Sequence, residues 1–153
     1  MKFKSVFALL LAVVSFSSPL ALANDAKQQV LDSAHTMWEH ARNAQLERMW
    51  DNAPTDHTYF VAGLPLWSKQ DTLGTFTAMF EGVTRQDIET VREEVTMLSD
   101  SAAVYTADMT YTQYDAQGTV LVPTSPYAMT IVFVLRDGQW MNLHSHQSFP
   151  SAE

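Results

Sequence analysis

The sequence predicts an α+β domain: N-terminal helices packed on a strongly curved antiparallel sheet. Three observations carry this. Apolar residues recur at steps of three and four only in the first half of the chain. From Ile88 onward the period changes to two. Two turn signals, Asp115-Ala116-Gln117-Gly118 and Asp137-Gly138, then divide the second half into antiparallel runs.

The elements follow in order. Asn24 or Asp25 can cap a helix, because their side chains accept from unpaired first-turn amides. Val30, Ala34, Met37, Trp38, Ala41 and Ala44 form its apolar stripe, with Gln29, Asp32, Ser33, Glu39 and Arg42 opposite. A short helical patch at Leu46, Met49 and Trp50 ends before Pro54, which disfavours helix in its predecessor. His57 to Ala62, rich in Tyr, Phe and Val, predicts a short strand. Gly63-Leu64-Pro65 reads as a turn that leaves Trp67 outside regular structure. Ser68 caps a further helix with Asp71 at the capping-box position, and Leu73, Phe76, Thr77, Met79 and Phe80 give its apolar side. Strands are expected over Ile88 to Leu98, Ala102 to Tyr114, Thr119 to Val122, Tyr127 to Arg136 and Trp140 to Phe149.

Composition narrows the function classes. The 153 residues suit one domain, and a hydrophobic share of 46% excludes a disordered tail. There is no cysteine, hence no thiolate chemistry, disulfide or iron–sulfur site. A net charge of −8 argues against nucleic acid and against an anionic membrane surface. Lys2 and Lys4, the apolar run Val6 to Phe16 and Ala21-Leu22-Ala23 together describe a secretory signal peptide over residues 1–23. Residues 24–153 then form a single exported domain, periplasmic or secreted, with no membrane contact after cleavage.

The end of the chain, Asp137-Gly138-Gln139-Trp140-Met141-Asn142-Leu143-His144-Ser145-His146-Gln147-Ser148, is similar to the terminal strand of many SnoaL-like domains. Met37-Trp38-Glu39-His40-Ala41 resembles the tryptophan-bearing first helix of the same group. With the element order, these motifs resemble the nuclear transport factor 2-like superfamily, which includes SnoaL-like and ketosteroid isomerase-like proteins. The resemblance implies a cone-shaped barrel: helices cover the concave face of a bent sheet, and a pocket opens at one end. It also implies small-molecule ligands and homodimers that pair their sheets. The ketosteroid isomerase-like branch uses an Asp or Glu base. Asp51, Asp56 and Asp108 match none of its motifs, so no catalytic residue is carried over.

Strict alternation along the last strand puts Trp140, Asn142, His144, His146 and Ser148 on one face. Facing inward, these groups would place hydrogen-bonding tips in an apolar wall. Tyr105 and Met109 share a face of their strand, and the sequence leaves open which face lines the cone. Tyr59, Trp67 and Tyr127 complete the expected ligand-binding set, although aromatic residues at such periods are usually core, Trp67 being the exception outside a regular element. His144 and His146 are the sharpest chemical feature, being able to exchange protons near neutrality. No third ligand stands at metal-binding spacing, and no cofactor motif is present.

The expected function is an exported domain that binds a small apolar or aromatic molecule in its cone. Two alternatives belong to other classes. One is an isomerase, dehydratase or cyclase that uses a pocket histidine as acid or base. The other is a protein-interaction module working through its sheet.

Overall fold

The computed structural model describes residues 19–150, with side chains from Asn24 onward. Most of the segment read as a signal peptide therefore lies outside the described residues. Helix α1 spans Pro19–Arg42, starting earlier than a cap at Asn24 or Asp25 would allow. Proline is favoured in a first helical turn, and the Leu20 to Ala23 segment is rich in strong helix formers. Asp25 instead accepts from Gln29 Nε2 at 2.9 Å, one turn on. The apolar stripe of α1 buries Val30, Ala34, Met37, Trp38 and Ala41. It stops there, because Ala44 lies beyond the helix at φ 50°.

Helix α2 is the single turn Leu46–Met49. Strand β1 covers Thr58–Val61 and strand β2 Leu64–Leu66. The second of these corrects the reading of Leu64 and Pro65 as part of a turn. Ala62 and Gly63 both have positive φ, 49° and 83°, which turns the chain tightly back on itself and pairs Val61 with Leu64. Helix α3, Lys69–Met79, opens as expected: the Ser68 side chain accepts from the Asp71 amide at 3.0 Å. Strands β3 (Arg85–Ser99), β4 (Ala102–Tyr114), β5 (Val120–Arg136) and β6 (Gln139–Ser148) form the meander. Both turn signals hold; at the second, Asp137 and Gly138 adopt φ of 51° and 77°.

Strand β5 is continuous where Pro123 and Pro126 were expected to divide it in two. Its pairing with β6 extends only from Ala128 to Arg136, so both prolines fall where one side of β5 is unpaired. A missing N–H costs no ladder bond there.

The six strands make one sheet in the order β2-β1-β6-β5-β4-β3, curved and unclosed, with β2 and β3 as edges. All pairs are antiparallel except β1 with β6, which run parallel. The α+β class and the helices-on-sheet arrangement are those expected, with this one parallel pair added. Helix α1 packs across β3 and β4. The core between the helices and the sheet holds Tyr105, Ile131 and Phe133, all fully buried.

One irregularity decides the face of the last strand. Phe133 pairs with Asn142 and Val132 with His144, so Leu143 is an extra residue in β6. Trp140 and Asn142 point inward on one side of this bulge; Ser145 points inward on the other. His144 and His146 consequently lie on the outer face, beside Thr58 and Phe60 of β1. The expectation that they share a face with Trp140 and Asn142 is corrected here. A second bulge, at Val91 of β3, leaves that side chain 71% exposed and turns Glu93 toward the core.

Candidate functional site

Between α1, α3 and the inner sheet lies a cavity of ≈ 60 Å³. Phe76 and Met79 of α3, with Phe80 at its end, wall it on one side, and Ala41 and Met49 approach from α1 and α2. The sheet contributes Gln86 and Ile88 from β3, Tyr111 and Gln113 from β4, Tyr127 from β5, and Gln147 with the following Phe149. Tyr59 of β1 completes the lining. The aromatic rings brace one another edge-on, with centroids 5.0 Å apart for Tyr59 and Phe76 and 5.5 Å for Tyr111 and Tyr127.

Three phenols and three carboxamides are the polar groups of this lining, and no Asp, Glu, His, Lys or Arg is part of it. Burial raises the pKa of Tyr59, Tyr127 and Tyr111 above the ordinary tyrosine value, so all three are neutral at physiological pH. The Tyr59 hydroxyl donates to Gln147 Oε1 at 2.7 Å. Gln113 Nε2 donates to Gln86 Oε1 at 2.9 Å, and Gln86 Nε2 donates to the Ala41 carbonyl at 2.9 Å.

The expected site residues scatter. Tyr59 and Tyr127 meet in the cavity. Tyr105 faces inward but lies under α1, where its hydroxyl accepts from Trp38 Nε1 at 3.1 Å and donates to Glu93 Oε2 at 2.9 Å. Glu93 in turn accepts from His35 Nε2 at 2.9 Å. Met109 is buried in the sheet core. Trp140 and Asn142 sit away from the cavity, where the Asn142 carbonyl accepts from His57 Nδ1 at 2.8 Å and Ser33 Oγ donates to the Trp140 carbonyl at 3.2 Å. Trp67 is 67% exposed and packs edge-on to Phe60 at 5.1 Å.

On the outer face, Thr58 Oγ1 and His144 Nδ1 are hydrogen-bonded at 2.8 Å. Partial burial lowers the His144 pKa, and neighbouring His146 lowers it further. His144 and His146 thus stand across the sheet from the cavity.

His57 behaves differently. It is fully buried beside Trp50, ring centroids 5.1 Å apart, and burial lowers its pKa to about 4. The carbonyl of Asn142 can only accept, so His57 carries its proton on Nδ1. Among the described residues, no three His, Asp or Glu side chains are grouped to hold a metal ion. No described helix is long and apolar enough to cross a membrane.

Sequence reading missed Gln86, Gln113 and Gln147 as a set. On strict alternation Gln147 falls on the face opposite the histidines, and the inward alternation of Gln86 with Ile88 is a usable signal. No periodicity within one strand reveals that three separate strands bring their amides to one cavity.

Comparison with known proteins identifies the fold's class. The SnoaL-like domain family matches residues 28–152, and the chain belongs to that family. The structure is similar to a nuclear transport factor 2-like superfamily protein from Salmonella enterica, with 13% identity, a TM-score of 0.72, and 85% of this chain and 94% of that one covered. It is also similar to a ketosteroid isomerase-like protein from Erwinia carotovora atroseptica, with 17% identity, a TM-score of 0.71, and 84% and 99% covered. The association domain of CaMKII from Caenorhabditis elegans shares the fold at 17% identity and a TM-score of 0.64, with 82% and 95% covered. At these identities the likeness shows the fold alone. No curated protein sequence gives a significant match.

Proposed function

We propose that this SnoaL-like domain binds a small, largely apolar molecule in the cone between α1, α3 and the sheet. The carrying observation is the lining itself: aromatic and aliphatic walls with a few convergent neutral polar groups, the ordinary makeup of a ligand site. At ≈ 60 Å³ the cavity admits a few water molecules as it stands. A single-ring ligand needs half-exposed Met79, and Phe80 beside it, to move aside. The acid–base alternative loses its support, because His144 and His146 lie across the sheet and no lining group titrates near neutrality. The test is a thermal-shift screen of small neutral compounds on the wild type and on Ala41→Phe, which fills the cavity. Stabilisation of the wild type alone is expected. A screen without any stabilising compound, or with equal shifts in both proteins, refutes the reading.

We propose in addition that the chain is exported and self-associates. The chain is exported and cleaved after Ala23, a reading supported by the basic start, the short apolar run and Ala21-Leu22-Ala23. An intact mass that includes residues 1–23 in the protein recovered from a periplasmic extract would overturn it. The chain also pairs with a second copy through the outer sheet face, where Thr106, Asp108 and Ala128 are exposed and Thr130 is half-buried. Sedimentation as a monomer at micromolar concentration would overturn this.

A further inference from the structure

We infer that the cone selects an uncharged ligand by a hydrogen-bond donor, a hydroxyl or N–H, given to Gln113 Oε1. This rests on the cone being the ligand site. The orientation of the site's amides starts at a backbone carbonyl. Ala41 O can only accept, so the Gln86 side chain must present its NH₂ to it at 2.9 Å. Gln86 is thereby oriented, and its Oε1 faces Gln113. That oxygen can only accept, so Gln113 must present its own NH₂, again at 2.9 Å. The relay leaves Gln113 Oε1 as the end of the chain. It has no hydrogen-bond partner among the described residues, and it is not among their fully enclosed unpartnered atoms. Gln113 lines the cavity.

The polarity of this end is hard-wired. Carboxamides usually adapt to either kind of partner by flipping, but a flip of Gln113 would set two acceptors against each other, and a flip of Gln86 would do the same at Ala41. Buried polar groups left facing the wrong partner are costly, so the acceptor stays an acceptor. The absence of charge in the lining adds the second half of the selection. An ionised ligand would enter a largely apolar cavity with no counter-ion. Gln86 is a positioning residue in this scheme, and Gln113 is the contact.

The test is calorimetric titration of phenol, toluene, benzoate and benzylamine at pH 7.5 into the wild type and Gln113→Met. Phenol and toluene match in size and differ in the donor. The phenol-to-toluene affinity ratio should fall about fivefold to tenfold in the variant, the worth of one neutral hydrogen bond. Benzoate and benzylammonium should bind the wild type more weakly than phenol. An unchanged ratio, or tighter binding of either ion, overturns the inference and leaves the cone site standing. Failure of all four to bind overturns both. Should Gln113→Met not fold, the wild-type side-chain amide resonances of Gln113 decide: they shift on adding phenol and not on adding toluene if the contact exists, and respond to neither or to both alike if it does not.

Discussion

Acidification tests the interior of this protein through His57. The ring is fully buried, its Nδ1 proton is held by the Asn142 carbonyl, and its Nε2 has no partner among the described residues. Its pKa is about 4 when folded, against about 6.5 in an unfolded chain. Below the unfolded value, the unfolded state takes up a proton that the folded state refuses. Stability is therefore full above pH 6.5, falls as the pH drops, and reaches its lower limit near pH 4. The two values differ by ~2.5 units, which at 1.36 kcal/mol per unit is a loss of about 3 kcal/mol. That is a large share of the 5–15 kcal/mol typical of a domain. The assay is guanidinium unfolding at half-unit steps from pH 4 to 8, on the wild type and His57→Asn. Asparagine keeps a donor close to the Nδ1 position and cannot titrate. The variant should be less stable at pH 7.5 by about 1–3 kcal/mol, from the lost ring and imperfect hydrogen bond. Its profile between pH 6.5 and 4 should be flatter than the wild type's. His144 contributes a loss of the same sign, its pKa being lowered too, and this remains in both proteins. Wild-type and variant curves running parallel through this window would refute the account of His57.

Three substitutions check other parts of the structure. Ala62→Asn should raise stability by about 0.5–1 kcal/mol in thermal melts, since Ala62 holds a positive φ of 49° that asparagine tolerates better. Phe133→Ala should cost ~3–5 kcal/mol, because the ring is fully buried and its neighbours are held by α1 and the sheet. Trp67→Ala should cost no more than ~1.5 kcal/mol, the worth of its edge-on contact with Phe60, and should leave ligand binding in the cone unchanged; a loss of binding would place the ligand elsewhere.

Features of this protein with purely local physics are legible in its residues before any folding is considered. The α1 stripe from Val30 to Ala41 follows from the helical period. The Ser68 cap needs only Asp71 three residues away, and the Asp137-Gly138 turn needs only two residues that tolerate positive φ. The order of helices before a meander, and with it the fold class, follows from where the period changes. Relations between segments distant in the chain emerge only on folding. Alternation along Trp140 to Phe149 is a valid local rule, yet one extra residue, Leu143, breaks it. That bulge lets Trp140 and Asn142 pack under α1 while Ser145 and Gln147 pair with β1 and β5. No feature within the strand announces it, because it settles a register contest between two neighbours. The parallel pairing of β1 with β6 joins segments more than eighty residues apart. The cavity is assembled in the same non-local way. Gln86, Gln113 and Gln147 come from three strands; the polarity of the first two begins at a carbonyl in α1, and Gln147 accepts from Tyr59. A carboxamide's orientation is set by its partner, so the donor and acceptor pattern of this site exists only once the chain has folded.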